Sequence, residues 1–165
     1  MNPKTTNKPV ELPDVLEFMA GHLDEVFSTM LSLETLPVQT TELPKFKDRL
    51  TSSVGFGGDT VNGVVYLHLS AGFANRVAGA MLGLPPEDPL SEMDVNDAIG
   101  EVTNMLAGGL KSAFCDAGAT CALCPPAIIR GTAFEVQPAP GLQRLFLVFD
   151  CIPERAAVEI HLRSI

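Results

Sequence analysis

Between Asp14 and Leu33 the chain reads DVLEFMAGHLDEVFSTMLSL, with Val15, Phe18, Met19, Val26, Met30 and Leu33 at steps of three and four. That period predicts a long amphipathic helix, entered after Pro13 with Asp14 as its N-cap. After Pro37 and Pro44 the period changes. RLTSSVGFGGDTVNGVVYLHLS, residues 49–70, is two extended runs around a glycine-rich centre, and Val65, Leu67 and Leu69 alternate with Tyr66, His68 and Ser70. A two-residue period with a turn between is a hairpin. GFGGD lacks the following Gly-Lys-Ser/Thr of a phosphate loop and opens a strand rather than a helix, so it reads as the turn itself.

AGFANRVAGAMLGL predicts a short helix stopped by Gly83 and the Pro85-Pro86 pair, and EDPL links it to a second helical run over residues 91–114. DAGATCALCPP then reads as loop. PAIIRGTAFEVQP and LQRLFLVFDCI read as strands, and AAVEIHLRS sets Val158, Ile160 and Leu162 inward against Glu159, His161 and Arg163 outward. The predicted order is α-ββ-αα-βββ, with room for an additional strand at 38–43. Because each amphipathic element must bury one face, the expected fold is α+β, with helices packed on a largely antiparallel sheet. Residues 14–165 are expected to form one domain behind a flexible tail at 1–13.

Composition narrows the chemistry. The chain has 165 residues, 46% hydrophobic and 19% charged, as in ordinary globular domains. Twenty acidic against eleven basic residues give a formal charge of −9, without the basic footprint of a nucleic-acid binder. Apolar runs such as LFLVF are far shorter than a membrane span. The N-terminal MNPKTTNKPVELP has no signal-peptide core, which makes the cytoplasm the expected location. Cys115, Cys121, Cys124 and Cys151 are then expected as reduced thiols. Cys121 and Cys124 form a single C-x-x-C with no second pair, and the following residues read as a strand instead of a redox-motif helix. Small buried or loop cysteines are the expectation, and no metal or cofactor is assigned to the chain.

SEMDVNDAIGEVTNMLAGGLKSAF, residues 91–114, carries the distinctive signal. Ser91 and Asp94 make an S-x-x-D start, and Glu92, Asp94 and Asp97 suit the positive end of a helix dipole. Val95, Ile99, Val102, Leu106, Leu110 and Ala113 form the inward stripe, while Asp97, Glu101, Asn104, Gly108 and Lys111 share the other side. Glu101 and Asn104 are therefore neighbours, with Cβ atoms roughly 5 to 6 Å apart. Gly108 and Gly109 each cost about 1 kcal/mol relative to Ala inside a helix. Close approach by another element is the simplest reason for both.

The run DAIGEVTNMLAGGLKSAF resembles the second-helix motif of the CheC/CheX/FliY family of chemotaxis phosphatases, marked by Glu-x-x-Asn within AIGE-x-x-N-M-x-AG. Glu101 and Asn104 occupy its two functional positions, and Ala98, Ile99, Gly100, Met105, Ala107 and Gly108 match the surroundings. VFSTML in the first helix and GDTVNGVVYLHLS in the hairpin are similar to other parts of the family. CheC-type members carry a second Glu-x-x-Asn in the first helix. Here the comparable positions read Glu25 to Ser28 and Glu17 to Ala20, which is the CheX pattern of one active helix.

The resemblance implies a hydrolase that removes the phosphoryl group from the aspartyl phosphate of a CheY-type response regulator. It casts Asn104 as the group that orients water and Glu101 as the anchor for a cation, a lysine, on the regulator. Mg²⁺ would belong to the regulator's own acidic pocket. It also implies a homodimer paired through sheet edges, with the closing strand AAVEIHLRSI as the expected exposed edge. Two other classes remain open on sequence alone: a module that binds a regulator without turning it over, and a flagellar-switch-like structural component, from which extra domains or long tails would be expected.

Overall fold

The computed structural model describes residues 14–164. The tail expected at 1–13 lies outside the described residues. Helix α1, Val15–Leu31, begins where Asp14 accepts from the Glu17 amide at 3.0 Å and ends at Ser32 in the left-handed region. Its buried side is Val15, Met19, Leu23, Val26, Phe27 and Leu31. Met30, expected inside, is 54% exposed because Leu23 and Phe27 set the stripe one step round.

Strand β1, Leu36–Val38, is followed by the predicted hairpin of β2, Arg49–Gly57, and β3, Val61–Ser70. Helix α2, Ala71–Leu82, is capped by Ser70 at its start and by Gly83 at φ 66° at its end. Helix α3, Glu92–Asp116, runs through both glycines for 25 residues. Four strands follow: β4, Ala122–Leu123; β5, Ala127–Gly131; β6, Gln143–Cys151; and β7, Glu154–Ser164.

All seven strands form one antiparallel sheet in the order β1-β6-β7-β3-β2-β4, with β5 also on β2. Register explains the core. Leu147, Val158 and Leu67 lie side by side on β6, β7 and β3, as do Leu145, Ile160 and Val65, and these rows face the three helices. Phe27 packs edge-on to Phe149 and tilted against Phe73, so α1, α2 and the sheet meet at one aromatic cluster.

Four expectations change. The closing strand β7 is not an edge: β6 and β3 flank it on both sides. Its polar positions are not solvated either, since Glu159 and His161 are buried along with His68 on β3. Residues 41–46 and 132–137 fold across this outer face, leaving a cavity of about 560 Å³ between loop and sheet. The strand expected to continue past Gly131 stops there because Phe134 turns back over β2. The Arg49 guanidinium stacks 3.6 Å from the Phe134 ring and donates to its carbonyl. Likewise β1 forms at 36–38 rather than 38–43, the later residues being drawn into that cover.

Candidate functional site

Helix α3 is the spine of the helical layer. Ser91 accepts from the Asp94 amide at 3.1 Å, and Glu92 and Asp94 occupy the first turn, where carboxylates offset the free N–H groups. Val95, Ile99, Val102, Leu106, Leu110 and Phe114 are buried, and so are Ala98, Gly100, Thr103 and Ala107. Ala113, expected in the stripe, is only half-buried, and Phe114 takes its place. Each large apolar side chain so buried contributes about 1.5 to 3 kcal/mol, which fixes the rotation of the helix about its axis.

That rotation determines what the opposite side shows. Asp97 and Glu101 are exposed, and Asn104, Gly108 and Lys111 are half-buried. Among the described residues neither the Glu101 carboxylate nor the Asn104 carboxamide has a side-chain hydrogen bond or ion pair, whereas other polar groups of the helix do. Thr103 donates to the Ile99 carbonyl at 2.8 Å, and Asn96 accepts from Arg130 at 2.7 Å. Two polar groups one helical turn apart thus keep their hydrogen-bonding capacity for something outside the chain.

Neighbouring elements hold this strip in place, and most of them were not visible as functional in the sequence. A Cβ on Gly109 would fall on the His22 ring of α1, which donates from Nε2 to the Met105 carbonyl at 3.0 Å. Phe18 stacks on the other side of His22 with ring centres 5.6 Å apart. Gly109 was therefore a true signal of close approach, and His22 is the approaching group. Gly108 is different, for a Cβ there would meet nothing within 4 Å. On the far flank, a Cβ on Gly100 would touch Pro126 at 3.3 Å, and Arg130 of β5 reaches Asn96 and, at 3.8 Å, Glu92.

Cys115 lies on α3 four residues after Lys111, with Cys121 beside it, so these thiols sit at the far end of the strip from Glu101. All four are free, with Cys151 buried, Cys124 exposed and Cys115 and Cys121 half-buried. Burial, and then the neighbouring Cys115, pushes the Cys121 thiol up from its ordinary value, the reverse of a reactive thiolate. Cys124 packs near Gly55 and its amide donates to the Gly55 carbonyl at 2.8 Å, so the C-x-x-C segment is sheet edge.

The larger clefts lie elsewhere: on the outer sheet face, beside β6 and under the Pro85-Pro86 turn. Three helices on one antiparallel sheet, with an open polar strip on the outer side of α3, define an α+β protein whose candidate site is a surface rather than a cleft. The family model for "Chemotaxis phosphatase CheX" matches residues 50–150, more than half of the chain, and the protein belongs to that family. Among solved structures, the chemotaxis protein CheX from Vibrio vulnificus is 22% identical with a TM-score of 0.77, covering 92% of this chain and 97% of that one. CheX from Desulfovibrio desulfuricans is 24% identical with a TM-score of 0.76, covering 92% and 100%. The CheX of a CheX-CheY-BeF3-Mg complex from Borrelia burgdorferi is 21% identical with a TM-score of 0.70, covering 92% and 99%. No curated protein matches the sequence.

Proposed function

We propose that this chain, with residues 14–165 as one domain, hydrolyses the aspartyl phosphate of a CheY-type response regulator through Glu101 and Asn104. The observation that carries this reading is the pair itself: a carboxylate and a carboxamide on one solvent-facing strip of α3, both without partners among the described residues. The family's phosphatase description and the CheY present in the Borrelia burgdorferi complex support it.

The chemistry suits those two groups. Water attacks the phosphorus in line, the bond to the aspartyl oxygen breaks, and inorganic phosphate leaves while the regulator regains its carboxylate. Such a reaction needs a positioned water and stabilised oxygens more than covalent help. A carboxamide both accepts from and donates to one water, so Asn104 orients the nucleophile. Glu101 pairs with a lysine of the regulator and sets Asn104 over the phosphoryl group. Asp97, exposed one turn before Glu101 on α3, and Glu25 of α1, 3.6 Å from His22, make the neighbouring surface attractive to a cationic partner face. Mg²⁺ enters with the regulator in this reading, and no cofactor is assigned to this chain.

The test is phosphate release from phosphorylated regulators of the same organism. Asn104→Ala lowers turnover by about 10²- to 10³-fold, as for loss of one positioned polar group at a reacting centre, while leaving regulator affinity nearly unchanged. Glu101→Ala weakens affinity as well, and Glu101→Lys weakens it further. A folded Asn104→Ala protein with wild-type turnover overturns the assignment. If wild type accelerates no regulator, the non-catalytic binding module takes its place.

The same reading puts the protein in the cytoplasm, where its regulator would be, and no helix of the described residues is long and apolar enough to cross a membrane. It also includes a homodimer, now through a different edge. β1 covers only Val148–Asp150 of β6, which leaves Gln143–Leu147 as the strip available for pairing.

A further inference from the structure

Two adjacent glycines lie within α3, and the chain itself accounts for one of them. Gly109 makes room for the His22 ring. Gly108 makes room for nothing in the molecule: its Cβ direction is open, and it is half-buried within a continuous helix. Its backbone gives no reason either, since the glycines of positive φ among the described residues are Gly83, Gly118 and Gly141. Glycine is the poorest ordinary helix former, because it loses the most backbone freedom and shields the helix least. Gly21 of α1 and Gly72 of α2 are open in the same way, and what sets Gly108 apart is that it shares one side of its helix with Glu101 and Asn104.

Gly108 lies four residues after Asn104 and seven after Glu101, two helical turns along the same side. At 1.5 Å per residue the three positions span about 10 Å of helix. We infer that Gly108 is the third point of the regulator-docking surface, where a main-chain segment of the regulator lies directly against the α3 backbone. This rests on the phosphatase reading above and adds a specificity-determining position to it. A cation of the regulator meets Glu101, its phosphoryl group meets Asn104, and its backbone meets Gly108. With three non-equivalent points in a row, the partner can dock in only one direction along the helix. A Cβ at the third point lifts the partner away and draws the water-orienting carboxamide off the phosphorus.

The test uses the full chain with the acyl-phosphate-charged regulator that wild type hydrolyses best, measuring KM and kcat separately, together with direct binding and thermal unfolding. Gly108→Ala raises the unfolding midpoint by about 2 to 4 °C, since the added methyl enters open space in a helix. Despite that gain it raises KM by about 3- to 10-fold, and Gly108→Leu raises it by about tenfold or more, the range expected when a close contact is overfilled. Gly72→Ala on α2, where a Cβ likewise meets nothing within 4 Å, leaves KM unchanged and serves as the control. Wild-type KM and affinity in Gly108→Leu overturn the inference. So does a lower unfolding midpoint in Gly108→Ala, which would reveal a use for the glycine within the fold. If a regulator binds but is not hydrolysed, the phosphatase reading fails alone, and weaker binding by Gly108→Leu still supports the docking point. If none binds, both fall.

Discussion

Glu159 has no exposed surface, yet it is the anchor of the outer face of the sheet. Its Oε2 accepts from His68 Nε2 at 2.8 Å, and its Oε1 accepts from His161 Nε2 at 2.8 Å and Arg144 Nε at 2.6 Å. The other nitrogen of His68, Nδ1, is hydrogen-bonded to the Thr51 hydroxyl at 2.8 Å. Burial alone would raise the pKa of Glu159, but the bonds from His68, Arg144 and His161 outweigh it and hold it at about 2. Burial pushes His68 below 6.5 against the pull of Glu159. Both groups therefore take up protons more readily in the unfolded chain. The stability that Glu159 contributes is present above pH 4.5 and is lost as pH falls from there toward 2, while His68 begins to withdraw its own below 6.5. Glu159→Gln is expected to lose on the order of 3 kcal/mol at neutral pH, because donors are left facing a weaker acceptor. The gap from wild type narrows as pH drops below 4.5. Thermal unfolding of both proteins between pH 8 and 3 checks this, and a gap that widens in acid contradicts it. The strand period put Glu159, His161 and His68 on the correct face of the sheet. It could not reveal their burial, because that depends on loops from two distant parts of the chain folding over them.

Elements whose limits are set by local chemistry were legible in advance. Asp14, Ser91 and Gly83 cap helices where the sequence puts caps, since a cap acts within a few residues of itself. Elements whose limits are set from elsewhere were not. β5 ends at Gly131 because Arg49, more than 80 residues earlier, holds Phe134, and the two-residue β4 exists only because β2 offers it a partner. The Glu101 and Asn104 strip was legible because helical spacing and a family motif agreed, whereas His22 betrayed itself only as a glycine in another helix. The C-x-x-C segment is the element-scale test. It contributes edge pairing to β2 and, through Pro126, a flank for α3. Replacing Cys121 and Cys124 together by Ser is expected to leave turnover within about twofold, surface-like substitutions rarely moving stability by more than about 0.5 kcal/mol. Activity that follows thiol oxidation would contradict that.

At the scale of the whole molecule the two faces of the sheet differ in kind. One is an apolar floor for three helices, and the other is a polar network under loops. Pairing of two copies is expected along β6, where Gln143–Leu147 lacks a β1 partner, and not along β7, which is central. Light scattering at micromolar concentration is expected to give twice the mass of one chain, and proline substitution at Leu145 to return it to the mass of one. A single-chain mass in wild type removes the dimer. Finally, α3 serves two layers at once, its inner side lying among the most buried residues of the fold and its outer side carrying Glu101 and Asn104. A surface built that way is expected to share the stability of the core beneath it. The amide protons under Glu101 and Asn104 are expected to exchange among the slowest of the domain. Activity measured along a thermal ramp is then expected to hold up to the melting transition and to vanish with the fold, and a loss of rate well below that transition contradicts this.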